Sequence, residues 1–430
     1  MPNGVTTDPA RESLSLDGVV TSRQGRVVLI AAEGSGGHLV PALETAIELA
    51  SDGAAVQLLY AVRPNAAGLV KALAVQAREH GVTMEPVSLS QAFAAPRMFG
   101  QAGRRAAAAI TRMWQAANVW RAARRRMAKG RPDVVAGFGG GFCVPVVFEA
   151  KWRGVPVLIH EQNVRLGRAN RLAARWADCL ARSFDPSIEE PLDRLTQIVT
   201  GLPVRRAIGT AGRDEAAAHF GFDPQRLTVL VVGGSQGAQA INRLVVDGLD
   251  ELTPTERAAW QFVHIAGPQD AEAVSTGYRR RGVRAWVGAH VTQMALAYAV
   301  ADLAVARAGA STVAELAQCG VPALLVPYPY AHGHQRDNAR LVESVGGAIC
   351  MDEASATSAR LMGWIRRILS DARLCQAMAA QIATLARPDA TRRLAEAIQQ
   401  IARTSPIHSS HQRDFRMSSW HAKDGAHIAP

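Results

Sequence analysis

The residues best suited to chemistry sit in short polar or glycine-rich segments, each placed just after an apolar run. Glu33-Gly34-Ser35-Gly36-Gly37-His38 is the first. Glycines after a parallel strand let the backbone approach a ligand, and the following helix start offers unpaired N–H groups and a positive dipole end to an anion. The dinucleotide pattern GxGxxG fails here, because counting from Gly34 its third glycine position is Leu39. A nicotinamide cofactor is therefore disfavoured. Gly137-Phe138-Gly139-Gly140-Gly141 repeats the arrangement, and two such loops on one sheet edge make a diphosphate cradle. His160-Glu161-Gln162-Asn163 puts four large polar residues at a strand's carboxyl end, where ligands bind in open α/β sheets. Taken singly, the three segments are also readable as a tight turn, a flexible connection and a loop with capping side chains.

Three further segments follow. In Gly233-Gly234-Ser235-Gln236-Gly237, Ser235 can offer a hydroxyl and an N–H to a phosphate oxygen, and the absence of GK[ST] excludes a Walker A loop. In the run from Arg307 to Glu315, small residues open a helix and expose N–H groups to a second phosphate. Glu315, one turn in, can accept from both hydroxyls of a ribose or simply stabilise the helix dipole. His334-Gln335-Arg336-Asp337-Asn338 begins another helix in position to reach a sugar.

Strands alternating with helices must position these loops. Val27–Ala32 reads as a buried strand by length and β-branching, followed by a turn and a helix over His38–Ser51. Strands near Val56–Tyr60, Val82–Leu89, Asp133–Ala136 and Val155–Ile159 continue the series, with a helix over Phe142–Arg153. Turn chemistry in Gly201-Leu202-Pro203 marks a junction, and a second series opens at Leu227–Val232 with a helix over Ala238–Leu249. Its later strands fall near Gln261–Ile265, Val283–Val287, Asp302–Ala306 and Val321–Val326. The pattern predicts an α/β protein of two Rossmann-like halves with parallel sheets. The expected divisions are a disordered extension over 1–24, a first Rossmann-like domain over 25–200, and a second over 201–386. A terminal helix over 387–403 and a disordered tail over 404–430 complete them.

The net charge of +11 favours phosphate-bearing partners without choosing among nucleic acid, anionic lipid and nucleotide. Five cysteines without a CxxC spacing indicate neither a zinc site nor a disulfide framework. The first 24 residues lack the apolar core of a signal peptide, and no apolar run approaches the ~18–20 residues of a spanning helix. Arg97–Arg131 holds ten basic and no acidic side chains, interleaved with Met98, Phe99, Ile110, Met113, Trp114, Val119 and Trp120. Such a stretch suits an anionic membrane surface, an RNA-contacting face or a plain solvated helix. Membrane contact is the expectation.

In order and together, GSGGHLVPAL (34–43), HEQN (160–163), VLVVGGSQGA (229–238), AGASTVAELAQCGVPALLVP (308–327) and PDATRRLAEAI (388–398) resemble the MurG family. These are the UDP-N-acetylglucosamine transferases that add the second sugar to lipid-linked peptidoglycan precursors, and the likeness runs from about Val27 to Ala402. The resemblance implies a GT-B fold, two Rossmann-like domains with the active site in the cleft between them. It implies donor contacts from Arg205, Gly234 and Ser235, backbone contact of Val291 with uracil, and diphosphate binding by Ala310, Ser311 and Thr312, with Val313 and Ala314 beside them. Glu315 would bind the ribose, and Asn163 and Gln335 the donor sugar. Ser35, Gly36, Gly37 and His38, with Gly139 and Gly140, would meet the acceptor's diphosphate or hydroxyl. His38 and Glu315 are counted as the catalytic pair, His38 as general base or as a hydrogen-bond donor to the acceptor diphosphate.

The chain departs from the family pattern at several points. Glu33 adds a carboxylate beside the supposed diphosphate site; Gly141 stands for Tyr, Cys143-Val144 for Ser-Gly, Leu202 for Asn, and His334 for one Gln of a pair. The implied reaction inverts the anomeric carbon and moves N-acetylglucosamine from UDP-GlcNAc to undecaprenyl-diphospho-N-acetylmuramyl-pentapeptide. No cofactor or protein-held metal is required in the cleft, although a divalent cation could assist. The implied partners are UDP-GlcNAc, the undecaprenyl-linked acceptor and the membrane surface, without nucleic acid, and the implied place is the cytoplasmic face of the cell membrane. Alternatives are a GT-B relative with another lipid or small-molecule acceptor, a UDP-GlcNAc epimerase, a non-catalytic nucleotide binder, and a nucleic-acid binder whose affinity would fall steeply with salt.

Overall fold

The computed structural model describes residues 25–62, 66–89, 101–185, 192, 195–234, 237–331 and 333–403, with the side chains of 101–105 left aside. The expected extensions at both ends, together with Arg97, Met98, Phe99, Ser235 and Gln236, lie outside the described residues.

Two parallel sheets form the framework. The first has the order β3-β2-β1-β4-β5-β6-β7, from β1 (Val27–Ala32), β2 (Ala55–Val62), β3 (Thr83–Ser88), β4 (Val134–Gly137), β5 (Val157–Glu161), β6 (Cys179–Arg182) and β7 (Thr196–Val199). Its helices are α1 (Gly36–Ser51), α2 (Ala67–Glu79), α3 (Gln101–Lys129), α4 (Cys143–Trp152) and α5 (Arg168–Ala173). A short helix α6 (Arg213–Phe220) then leads to β8 (Leu227–Val232), α7 (Gln239–Gly248), α8 (Pro254–Ala259), β9 (Trp260–Ile265), α9 (Ala271–Arg280), β10 (Ala285–Gly288), α10 (Met294–Val300) and β11 (Leu303–Ala306). The chain continues through α11 (Ala310–Cys319), β12 (Ala323–Leu325), α12 (His334–Ser344), β13 (Ala348–Cys350), α13 (Ser358–Ser370), α14 (Ala372–Ala383) and α15 (Ala390–Arg403). The second sheet has the order β10-β9-β8-β11-β12-β13.

Alternation within each central strand divides the core. Val28, Ile30 and Ala32 of β1 face a cluster built with α1 and α15, while Leu29 and Ala31 face one built with α3 and α4. In β8, Leu230 and Val232 face one side, and Val229 and Val231 the other. Both faces are covered at the centre of each sheet, which is why β1 and β8 read as nearly unbroken apolar runs, while the edge strands β3 and β7 are largely exposed or half-buried. The strands β6, β7 and β13 were not anticipated. Each is short and closely bounded by polar or glycine residues (Asp178 and Arg182, Gln197 and Thr200, Gly347 and Asp352), so no longer apolar run marks it as Val321–Val326 marks the equally short β12.

The terminal helix α15 belongs to the first sheet's core although it follows the second sheet in the chain. Its residues Leu394, Ala395, Ala397, Ile398 and Ala402 pack into the cluster of α1 and β1. Entry to α15 presses on the junction: a Cβ at Gly201 (φ 86°) would lie 2.5 Å from Arg387 Cβ and 2.8 Å from Ala390 Cβ. Gly201 also accepts, at its carbonyl, the Nε2–H of fully buried His160 at 3.2 Å. His160 Nδ1 in turn accepts from Gln162 Nε2 at 3.2 Å. Burial drives the His160 imidazole down to about 4, so it stays neutral.

Two outcomes follow from this packing. Ile398→Ala should cost about 2–5 kcal/mol of unfolding free energy in urea titrations, because it opens a cavity under α1. His160 binds its proton less readily folded than unfolded, so it leaves stability unchanged above pH 6.5 and removes it as pH falls toward about 4. Between pH 7 and pH 5 the wild-type chain should lose on the order of 2 kcal/mol more than His160→Gln does, measured from urea midpoints.

Candidate functional site in the cleft between the sheets

Because the strands within each sheet run parallel, their turns emerge on one edge, and these two edges meet. Asn338 on α12, with no exposed surface, donates from Nδ2 to Asn163 Oδ1 at 3.1 Å and to Ala308 O at 3.0 Å. Its Oδ1 accepts the Val164 N–H at 3.0 Å. One amide thus joins the loop after β5 to the loop after β11. Arg206 and Glu48 (2.6 Å) and Arg165 and Asp337 (3.8 Å) add ion pairs between the two halves. Val164 and Phe184 of the first half pack into the second half's apolar cluster.

On the first sheet's edge, α1 starts at Gly36 with Ser35 as its N-cap, but Ser35 does not cap it. The Ser35 hydroxyl instead meets His38 Nδ1 at 2.7 Å. The N–H groups of Gly36 and Gly37, in the first turn, have no intrahelical acceptor. The His38 ring lies on the second glycine loop: a Cβ at Gly139 (φ 77°) would stand 3.2 Å from His38 Nε2 and 3.1 Å from Gln162 Oε1. At Gly140 (φ 79°) the space a Cβ needs is filled by the Glu33 carboxylate. The two glycine loops are therefore interlocked, with Glu33 and His38 seated on consecutive glycines. The buried Cys143 thiol lies 2.8 Å from Gly139 O and 3.1 Å from Ala31 O, tying the loop to β1. Burial raises this thiol far above its ordinary value, so it stays protonated.

The HEQN segment is not a row of ligand-facing side chains. His160 and Glu161 are the last residues of β5 and are buried. Glu161 Oε1 accepts from Asn163 N at 3.0 Å and Asn163 Nδ2 at 3.1 Å, and Oε2 from Gly167 N at 2.9 Å and Asn170 Nδ2 at 2.8 Å. A buried carboxylate with four donors folds the 161–170 loop around itself. Gln162 Nε2 donates to Phe138 O at 3.1 Å and holds the glycine loop. Asn163 has its carbonyl on Asn338 and its amide on Glu161.

On the second sheet's edge, Gly234 has φ 94° and Gly237 φ 78°, and Gly237 sits directly against the Ala266 carbonyl. Helix α11 starts at Ala310 after the N-cap Gly309, with no side-chain cap. The N–H groups of Ala310, Ser311 and Thr312 thus face outward with the dipole's positive end behind them. The Ser311 hydroxyl is buried and has no hydrogen-bond partner among the described residues. Val313 differs: its side chain is in the core and its N–H is bonded to Gly309 O at 2.9 Å. Val204, Val291, Ala310 and Ala314 are partly buried against the large apolar cluster of the second half.

Glu315 is buried, and its Oε2 accepts from the Tyr298 hydroxyl at 2.8 Å. Burial raises its carboxyl above the ordinary range, opposed by Arg205 and by the Tyr298 hydroxyl. Arg205 lies within electrostatic reach of both Glu315 and Glu44, on opposite halves. Gln335 Oε1 accepts from Tyr328 N at 2.9 Å. Sequence reasoning passed over Tyr298 and left Asn338 without a role. Tyr298 is 17 residues from its partner and carries no local pattern, whereas Asn338 lies inside a segment already singled out.

Two family models match this chain: the glycosyltransferase family 28 N-terminal domain over residues 28–182 and the C-terminal domain over 228–399. The UDP-N-acetylglucosamine–N-acetylmuramyl-(pentapeptide) pyrophosphoryl-undecaprenol N-acetylglucosamine transferase of Sinorhizobium fredii is 37% identical over 389 residues, spanning 89% of this chain and 97% of that one. Its counterpart in Mesorhizobium japonicum is 36% identical over 383 residues, spanning 87% and 95%. The crystal structure of Acinetobacter baumannii MurG aligns with TM-score 0.66 and 26% identity, over 87% of this chain and 99% of that one. A UDP-GlcNAc 2-epimerase from Neisseria meningitidis, at TM-score 0.62, 11% identity and 87% and 100% coverage, shares the fold alone. The interlocked glycine loops, the uncapped helix start and these likenesses agree: the chain belongs to glycosyltransferase family 28, among the UDP-N-acetylglucosamine transferases of the MurG family with their GT-B fold.

Proposed function

We propose that this chain transfers N-acetylglucosamine from UDP-GlcNAc to undecaprenyl-diphospho-N-acetylmuramyl-pentapeptide, with inversion at the anomeric carbon. The observation that carries the reading is the uncapped start of α11, with its partnerless buried Ser311 hydroxyl, on the loop whose Ala308 carbonyl Asn338 ties to Asn163 and Val164 of the first half. In this reading the N–H groups of Ala310, Ser311 and Thr312 and the Arg205 guanidinium take up charge on the departing UDP. Glu315, steadied by Tyr298, accepts from the ribose hydroxyls. The acceptor hydroxyl oxygen forms the new bond to the anomeric carbon as the bond to the UDP oxygen breaks, and its proton goes to His38. For that role Nδ1–H donates to Ser35 Oγ and Nε2 is the basic nitrogen. Gly36 and Gly37 hold the acceptor diphosphate at the start of α1. A divalent cation, where it assists, travels on the donor diphosphate.

The acceptor's lipid tail calls for a membrane surface, and the reading extends to peripheral attachment on the cytoplasmic face. Among the described residues no helix is long and apolar enough to cross a membrane. Helix α3 exposes Ile110 (49%), Met113 (72%) and Trp114 (52%) among its arginines. Val119 and Trp120, expected on the same face, do otherwise. Val119 is buried, and Trp120 Nε1 donates to Glu149 Oε2 at 2.7 Å, anchoring α3 on α4. A helix can show solvent only the side its neighbour leaves uncovered. A second aromatic group, Phe148, Trp152 and Trp176, stands on α4 and beside it, with Trp152 at 79% exposure.

Labelled UDP-GlcNAc should pass its sugar to a short-chain undecaprenyl analogue carrying the muramyl-pentapeptide; transfer only to some other lipid would reassign the acceptor. Glu315→Ala should weaken UDP binding in calorimetry by about tenfold or more, the loss of charge-assisted hydrogen bonds, and unchanged binding would remove Glu315 from the site. Met113→Ser with Trp114→Ser should lower sedimentation with phosphatidylglycerol vesicles without changing UDP affinity. Equal sedimentation of both proteins would exclude α3 as the contact.

A further inference from the structure

The connection between β12 and α12 carries two aromatic rings that the reaction outlined above does not use. Tyr328 and Tyr330 stand edge to face with centroids 5.5 Å apart, and Tyr330 is 78% exposed. An exposed tyrosine is ordinary by itself, but this pair is braced from beneath. The Arg307 guanidinium lies 5.3 Å from the Tyr328 ring centroid, a cation–π contact. Arg307 is itself buried at the end of β11, donates to Val326 O at 3.0 Å and pairs with Glu353 at 2.5 Å. The backbone N–H of Tyr328 is held by Gln335 Oε1. Tyr328 is fixed in this way and gives Tyr330 an ordered edge-to-face partner, which lowers the conformational freedom Tyr330 loses when a ligand packs on it.

Its neighbours point to the kind of ligand. The connection leaves the same sheet edge as the uncapped α11 start, and it runs into α12, whose Asn338 reaches the other half of the molecule. A Cβ at Gly333, just past the tyrosines, would lie 3.9 Å from Arg165 Nη1 of the first half. Four buried polar atoms on α11, α12 and the segment paired with Arg307 form no hydrogen bond among the described residues: Ser311 Oγ, His334 Nδ1, Asp337 Oδ2 and Glu353 Oε2, the last two being ion-paired with Arg165 and Arg307. A partnerless imidazole nitrogen and a partnerless hydroxyl suit ligand hydroxyls, and an electron-rich ring face suits the C–H face of a pyranose. A sugar ring satisfies both demands at once.

We propose that Tyr330, held in place through Tyr328 and Arg307, forms an aromatic platform on which a pyranose ring in the cleft packs. The proposal rests on the glycosyl-transfer reading. The pyranose is either the donor's sugar or the acceptor's, and the experiment separates them. Tyr330→Ala, Tyr330→Leu and Tyr330→Phe are compared with the unsubstituted full-length protein by calorimetry with UDP and with UDP-GlcNAc, and by steady-state kinetics with the lipid analogue. The side chain is exposed, so thermal unfolding should be unchanged in all three.

Stacking on the donor sugar predicts that Tyr330→Ala weakens UDP-GlcNAc by about three- to tenfold and leaves UDP unaffected. Stacking on the acceptor sugar predicts an equal rise in acceptor KM with both nucleotides bound normally. In either case Tyr330→Phe keeps wild-type values, because the ring and not the hydroxyl makes the contact, and Tyr330→Leu falls between. Unchanged constants in Tyr330→Ala, or a Tyr330→Phe as impaired as Tyr330→Ala, overturns the platform. Failure of the unsubstituted protein to bind UDP-GlcNAc at all would instead end the glycosyl-transfer reading on which it rests.

Discussion

Unsatisfied amide groups at helix starts, gathered on the carboxyl edges of two parallel sheets, are the constraint on which the rest of this molecule depends. A parallel strand always hands its chain to a helix on one side of the sheet, so every glycine turn in a half opens toward the same crevice. The dipoles of α1 and α11 then favour negative charge there. Covering both faces at the centre of each sheet with helices keeps these edges as the open parts of the framework, and the junction brings the two edges together.

That junction is built from polar contacts as much as from apolar ones. His160, Gly201 and the entrance to α15 meet at one point, so the end of β5 is tied to the place where the chain passes between halves. Asn338 bridges Asn163, Val164 and Ala308 with a single side chain. Truncating a buried amide with three partners leaves unpaired groups on both sides, which explains why such a residue can govern how the halves sit. The return of α15 to the first sheet closes the arrangement by burying Ile398 against α1.

Within the site, positioning falls to residues that would not touch substrate. Tyr298 steadies Glu315, Gln162 holds the second glycine loop through Phe138, and Cys143 pins the same loop to β1. Glu33 fills the space beside Gly140 that a side chain there would need. The carboxylate that looked out of place beside a diphosphate site is thus also a spacer between the two loops.

Much of the framework was legible from the residues alone. Val27–Ala32 and Leu227–Val232 announce themselves by β-branched apolar runs, and the glycines after them mark where a backbone must come close to a ligand. The ordered motifs identify the family because they combine five segments, each of them weak singly. The sequence could not tell which polar residues face outward. His160 and Glu161 read as ligand candidates and are buried and satisfied, because partners 41 and 9 residues away close around them. Val119 and Trp120 read as membrane-facing and are covered by α4. Local pattern reports period and propensity. Which face is covered, and which buried donor finds which acceptor, is decided by segments distant in the chain, and so by the tertiary structure alone.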